Sequence, residues 1–243
     1  IYSQFYDLCI VLCSVNSEYA TNLQCIIFYT LLFAQHNAIF KIICYNELMQ
    51  ALMSIKKYAH EHDIPIMKEE GVSFVCEYIK KHNIKRILEI GSAIGYSAIR
   101  FARVSNDIFI TTIEIDKERY LQAVQNIKDF GLENRISIYL QDALLFETTE
   151  KFDLIFIDAA KAQYIRFFEK YKTNLLDGGV ILSDNLSFHG MVEDENLKCN
   201  KNTIMLVKKI RKYITFLREN TEFETEFIKC ADGISISKKR NSE

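Results

Sequence analysis

Two short stretches of the chain carry side chains suited to holding a divalent cation: Ile157-Asp158-Ala-Ala-Lys161 and Ser183-Asp184-Asn185. Each closes an apolar run of strand type, which puts the acidic residue at a strand's carboxyl end. Asp158, Asp184 and Asn185 together offer two carboxylates and an amide oxygen. Such a hard oxygen set suits Mg²⁺ or another divalent cation, with water or substrate oxygens completing the shell. A hydroxyl bound to that ion gives up its proton more readily. Lys161, one helical turn beyond Asp158, is placed to take the proton. Taken singly, Asp184-Asn185 also reads as a turn or helix cap, and Lys161 as a solvated surface residue.

A second constellation precedes this one. Leu88-Glu-Ile-Gly-Ser-Ala-Ile-Gly-Tyr-Ser97 places Gly91 and Gly95 where a strand turns into a helix. Glycine permits the tight turn and lets backbone N–H groups approach a ligand. The spacing is G-x-x-x-G rather than the G-x-G-x-x-G of dinucleotide sites. Glu89, two residues before the first glycine, suits an ammonium group and repels a pyrophosphate. Glu114 lies about 20 positions further on, after the next strand, where an acidic residue hydrogen-bonds ribose hydroxyls. Asp142-Ala143 follows a third strand, where an adenine amino group can be read. Any one of these fits a generic α/β domain whose glycines serve packing. Their coincidence, each after its own strand, points to a nucleoside ligand with a positive charge.

Positioning these residues requires strands alternating with helices. Short apolar runs at 86–90, 108–113, 136–140, 152–157 and 180–183 read as strands. Amphipathic stretches at 49–62, 68–82, 95–104, 117–130, 161–175 and 200–219 read as helices, with Pro65 breaking the pattern between the first two. Two strands near 223–229 and 233–237 close the chain, with Asp232-Gly233 as their turn. The alternation predicts an α/β fold: a mostly parallel sheet with helices on both faces and a C-terminal antiparallel hairpin.

A length of 243 residues allows one large α/β domain with a small appendage. The formal net charge of -2 excludes a wholly basic nucleic-acid glove. Seven cysteines without a CxxC pair read as free thiols in a reducing compartment, hence a cytoplasmic protein. Residues 1–48 stand apart as an atypical apolar segment. Of the 30 Lys and Arg residues, only Lys41 falls in the first 45. The run from Cys25 to Ala34 is shorter than the roughly 20 apolar residues that span a bilayer. A lead segment from an over-extended reading frame and an accessory helix are preferred to a membrane-associated hairpin. The domain is expected over 49–243.

The motifs LEIGSAIGYSAI, TTIEID, QDA, FDLIFIDAAK and GGVILSDNLSFHGMV resemble those of the metal-dependent, class I S-adenosylmethionine O-methyltransferases related to catechol and caffeoyl-CoA methyltransferases. Within that group, IPIM, AIGYSAIR, FIDAAKAQY and DGISISKK resemble the bacterial tRNA 5-hydroxyuridine methyltransferases. The resemblance implies a Rossmann-like sheet of seven strands, commonly in a homodimer. It implies that Met67, Ser97, Glu114, Asp142, Ala143 and Asp158 contact S-adenosylmethionine, and that Asp158, Asp184 and Asn185 hold Mg²⁺. The implied acceptor is 5-hydroxyuridine at the tRNA wobble position, converted to 5-methoxyuridine; the alternative is a catechol-like or caffeoyl-CoA-like small molecule. Methyl transfer from a sulfonium is a direct displacement, which gives an ionised acceptor oxygen its purpose.

For a tRNA substrate, Lys198, Lys201, Lys208, Lys209, Arg211 and Lys212, with Lys238, Lys239 and Arg240 in the tail, can track phosphates. The bland reading is a solvated helix face and a soluble tail. Tyr96, Tyr164, Phe167 and Phe188 are candidates to stack on an extruded base, and His189 to orient it. Two other classes compete. An NAD-binding oxidoreductase is disfavoured by the glycine spacing and Glu89. A silent binding module is disfavoured by the intact Asp158, Lys161, Asp184 and Asn185.

Overall fold

The computed structural model describes residues 48–188, 190–194 and 198–240. The expectations for residues 1–47 and for His189 lie outside these. The chain divides into two compact units, Ile1–Ser54 and Ile55–Glu243. In the first, described residues 48–54 are helical. Among the described residues no helix is long and apolar enough to cross a membrane.

The second unit opens with helical residues 55–61 (α1). Its other helices are α2 (Glu69–Lys81), α3 (Tyr96–Ala102), α4 (Lys117–Asp129), α5 (Tyr164–Tyr171) and α6 (Lys201–Glu219). Its strands are β1 (Arg86–Ile90), β2 (Phe109–Glu114), β3 (Ile136–Leu140), β4 (Phe152–Ile157), β5 (Leu175–Ser183), β6 (Phe223–Ile228) and β7 (Ile234–Lys239). They form one sheet in the order β3-β2-β1-β4-β5-β7-β6. β1 to β5 run parallel, while β7 is antiparallel to both its neighbours.

The strand order reverses between β1 and β4. Right-handed crossovers on either side of that reversal put the connecting helices on opposite faces. The packing agrees. Phe156 of β4 meets Phe101 of α3 edge-on at 5.4 Å. Its neighbours Ile155 and Ile157 enter the other core, with Tyr164 and Phe168 of α5 and Ile210 and Tyr213 of α6. The strands are apolar on both faces because both are covered; every residue from Ile87 to Ile90 is buried.

Several boundaries differ from expectation for local reasons. β5 begins at Leu175, not 180, because Gly178 and Gly179 form a bulge within the strand rather than a loop before it. A Cβ on Gly179 would lie 2.9 Å from the carbonyl oxygen of Leu176. The stretch read as one helix, 161–175, is a 3₁₀ turn (Lys161–Gln163), α5 and a second 3₁₀ turn (Lys172–Asn174). The closing turn sits earlier than Asp232-Gly233: Gly233 N–H donates to the Cys230 carbonyl at 2.8 Å, and the left-handed residues are Ala231 and Gly233. Helix caps follow the sequence. Asp116 accepts from the Arg119 N–H and Asn200 from the Thr203 N–H, both at 2.9 Å.

Candidate active site

A cavity of about 640 Å³ opens at the carboxyl ends of β1, β2, β4 and β5, across the point where strand order reverses. It is the position at which open α/β sheets bind ligands. Of the residues singled out in the sequence, Met67, Gly91, Ser97, Glu114, Asp142, Ala143, Asp158, Lys161, Asp184 and Asn185 line it. Glu89 and Gly95 do not.

Gly91 is required by backbone proximity. Its N–H donates to the Ile113 carbonyl at 2.9 Å while Asp158 N–H donates to the Ile90 carbonyl at 3.0 Å. A Cβ on Gly91 would sit 2.2 Å from the carbonyl oxygen of Asp158, and its φ of +94° is left-handed. No other residue type lets β1 and β4 come together beneath a ligand. Gly95 (φ 80°) opens α3 and packs against Ala123 of α4, which serves the turn and helix packing.

Glu114 is fixed by three backbone donors. One oxygen accepts from the Ala93 N–H at 2.8 Å, the other from the Ile115 and Asp116 N–H groups at 2.9 Å each. The glycine loop is thereby tied to the end of β2. Asp142 accepts from the Leu144 N–H at 2.8 Å, an Asx turn that sets the third loop.

Glu89 lies beneath the cavity rather than in its wall. Its oxygens accept from the Ser97 hydroxyl at 2.5 Å and the Thr112 hydroxyl at 2.6 Å. It is fully buried, and burial pushes its carboxyl up to about 7, against the pull of those two hydrogen bonds. Its two hydrogen bonds make it a structural link between β1, α3 and β2. The sequence pattern marks a carboxylate near the glycine loop but not which way the side chain points; in a strand that depends on register.

On the other side of the cavity, Asp158 and Asp184 are neighbours. Burial raises the affinity of both for a proton; for Asp184, Asp158's charge adds to it, and Lys161 opposes the shift in both. Asp184 is 1% exposed, and its Oδ1 has no hydrogen-bond partner among the described residues. Its Oδ2 accepts from Asn185 Nδ2 at 3.2 Å. Asn185 holds a left-handed φ of 61°, a conformation asparagine tolerates better than most residues. Tyr164, entirely buried, donates to the Asp184 carbonyl at 3.2 Å and stands edge-on to Tyr213. It is a strut of the core and not a stacking surface, which corrects the expectation for it. Phe167 and Phe188 do line the cavity. So does Tyr96, whose hydroxyl donates to Glu69 at 2.8 Å.

A buried Asp184 with an orphaned oxygen, its proton affinity raised by the half-buried Asp158 beside it, fits a divalent cation. The donor set is hard, and an added positive charge would relieve the repulsion. The set is two carboxylates and an amide; among the described residues no three His, Cys, Asp or Glu side chains cluster to hold a metal.

Sequence reasoning missed Lys68 and Asp232. Both line the cavity, and they form an ion pair at 2.7 Å although 164 residues apart in the chain. Only the place of the β6–β7 turn in the sheet could have revealed them.

Residues 42–240 match the O-methyltransferase family. The chain belongs to the S-adenosylmethionine-dependent O-methyltransferases. It is 34% identical to a solved Staphylococcus aureus protein described as a candidate caffeoyl-CoA O-methyltransferase, with a TM-score of 0.76 over 84% of this chain and 99% of that one. A candidate caffeoyl-CoA O-methyltransferase of Arabidopsis thaliana is 33% identical over 160 residues, 62% of this chain and 68% of the relative. A Bacillus cereus O-methyltransferase, solved in complex with S-adenosylhomocysteine, shares the fold at 24% identity and a TM-score of 0.68, over 79% of this chain and 91% of that one. This O-methyltransferase is thus of the caffeoyl-CoA type.

Proposed function

We propose that residues 49–243 form a divalent-cation-dependent O-methyltransferase that methylates one hydroxyl of a catechol-like phenol. The observation that carries this is the paired Asp158 and Asp184 in the same cavity as Glu114 and Asp142, with no hydrogen-bond partner for Asp184 Oδ1 among the described residues. S-adenosylmethionine, when bound, supplies an electrophilic methyl on a sulfonium. Glu114 is suited to its ribose hydroxyls, Asp142 and Ala143 to its adenine, and Met67, Gly91, Ser97 and Asp158 border the remainder of the cavity. Asp158, Asp184 and Asn185 would hold a divalent cation, Mg²⁺ by the hardness of the set, and that ion would make a bound hydroxyl more acidic. Lys161 Nζ, beside Asp158, would take the acceptor's proton in its neutral form, which a cation bound next to it would favour. Phe167, Phe188 and Met67 give an aromatic ring apolar contact and keep water from the displacement.

The caffeoyl-CoA named for the relatives favours a phenol. The other acceptor, tRNA 5-hydroxyuridine, has the resemblance of the motifs and the exposed Lys201, Lys208, Lys209 and Lys212 of α6 behind it. The tail residues and Arg211 count against it. Lys238 pairs with Val180 at the far end of β7, while Ser235 pairs with Ser183 beside the cavity, so the tail points away from the site. Arg211 is engaged with the carbonyls of Val192 and Asp194. Labelled S-adenosylmethionine separates the two. Label is expected in caffeate or caffeoyl-CoA, in a Mg²⁺-dependent manner; label in hypomodified tRNA and in no phenol would reject this reading.

A further inference from the structure

The turn between β6 and β7 joins the three walls of the acceptor side. Its Asp232 and Gly233 carbonyls accept from the Ser187 and Leu186 N–H groups at 2.6 and 2.9 Å, which fixes the loop that carries Asn185. Its Ala231 Cβ would lie 3.3 Å from a Cβ on Gly71 of α2, and Cys230 Sγ donates to the Glu70 carbonyl at 3.6 Å. Across the cavity mouth, Asp232 Oδ1 receives Lys68 Nζ at 2.7 Å. The two partners are unequally placed: the Asp232 side chain is 11% exposed and that of Lys68 50%. The carboxylate is part of the frame, and it holds the ammonium at the edge of the solvent.

Among the described residues, three cationic side chains line the cavity: Lys68, Arg119 and Lys161. Arg119 belongs to α4, after β2, on the donor side, and Lys161 lies within reach of Asp158. Lys68 alone of the three stands at the acceptor's entrance. An ammonium has three donors, so one bond to Asp232 leaves capacity for a second acceptor.

We propose that Lys68, steered by Asp232, is a specificity-determining residue that favours acceptors carrying an anionic group, a carboxylate or a phosphate, away from the methylated ring. The inference rests on the phenolic reading above and deepens it by giving the acceptor a charge. The deep end of the pocket recognises the hydroxyl, and the rim recognises the anion. Asp232 has two opposing effects: it orients the ammonium and lowers the net positive charge that an incoming anion meets. Removing the lysine and removing the aspartate's charge should therefore move selectivity in opposite directions, which a purely structural ion pair would not do.

The test compares the kcat/KM ratio of each charged acceptor with a neutral counterpart. Caffeate against caffeamide reads the carboxylate; caffeoyl-CoA against the thioester of caffeate with N-acetylcysteamine reads the phosphates. The holoenzyme is assayed with saturating S-adenosylmethionine and Mg²⁺. In Lys68→Met at least one of the two ratios is expected to fall about fivefold, through KM rather than kcat, as for loss of a half-exposed charge pair. In Asp232→Asn the same ratio is expected to rise, and added salt to erode the wild-type preference. Whichever pair responds identifies the anion. Equal ratios in wild type and both variants, or ratios that move the same way in both, would overturn the inference and leave the phenolic reading standing. Failure of the wild type to methylate any of the four acceptors would overturn both.

Discussion

The two halves of the cavity are built on opposite principles. Over β1, β2 and β3, each carboxylate near the donor site is met by donors of the protein itself: Glu114 by three backbone N–H groups, Asp142 by one, and Glu89 by two hydroxyls. Over β4 and β5, the charge of Asp158 bears on Asp184, and an oxygen of Asp184 has no hydrogen-bond partner among the described residues. Satisfied buried networks are rigid, whereas an unsatisfied buried carboxylate is a costly arrangement that a function has to justify. The donor half is therefore shaped by folding alone. On the proposed reading, the acceptor half would gain from a cation, and its residues would tie their stability to the chemistry.

If that contrast is correct, substitutions in the two halves should fail differently. The largest effect belongs to the acceptor half. Asp158→Ala is expected to lower turnover by about a thousandfold, since activating an oxygen through a metal is worth several kcal/mol. It should also abolish the response of initial rate to Mg²⁺. Near-normal rates in a Mg²⁺ titration of the variant would remove the metal role and, with it, the contrast.

The next effect concerns protons in both halves. Glu89 has its carboxyl raised to about 7, chiefly by burial, from an ordinary value of 4.5. A group raised in the folded state favours folding while protonated. Its contribution is full below about pH 4.5 and is lost as pH rises through about 7. Protein freed of metal and donor should therefore have a lower urea midpoint at pH 8 than at pH 5. Glu89's share is on the order of 2 kcal/mol. Asp158 and Asp184, also raised, contribute in the same sense. Glu89→Gln should remove part of the slope in the presence or absence of Mg²⁺, whereas Mg²⁺ itself should remove the acceptor half's part. A slope unchanged in Glu89→Gln would mean that the carboxylate is not held as its hydrogen bonds suggest.

Much of this architecture was legible in the residues, and the parts that were not share a cause. Ile-rich runs ending in Glu114, Asp158 and Asp184 announce strands whose carboxyl ends form a site, because apolar continuity marks a sheet covered on both faces. Gly91 was legible as a turn, though the contact that demands it, a carbonyl oxygen of Asp158 some 67 positions away in the chain, is visible only once β1 and β4 are paired. For Glu89, spacing gives the place but not the direction of the side chain, so its bonds to Ser97 and Thr112 were not legible. Tyr164 was misjudged because an aromatic on a helix beside a site reads equally as a stacking surface or as core. Lys68 and Asp232 carried no signal, since their meeting depends on β7 inserting between β5 and β6, a long-range event that local pattern does not encode. Local chemistry is written in local sequence; closure of the pocket is written in topology.

The smallest effect probes the donor half alone. Glu114→Gln keeps the shape of the side chain but exchanges one acceptor oxygen for an NH₂ group, itself a donor. If the amide oxygen faces the glycine loop, Ala93 N–H is satisfied and the N–H groups of Ile115 and Asp116 meet another donor. If it is flipped, the loop loses its tie. Either orientation leaves a buried donor unpaired, at a cost of about 1–3 kcal/mol. The expected result is a rise of about tenfold in KM for S-adenosylmethionine, matched by weaker S-adenosylhomocysteine binding in calorimetry, with kcat nearly unchanged. A donor site preformed by backbone bonds should lose affinity without losing chemistry. Were kcat instead to collapse as in Asp158→Ala while donor binding held, Glu114 would be acting on the reaction, and the division of the cavity into a scaffolded half and a cation-dependent half would have no basis.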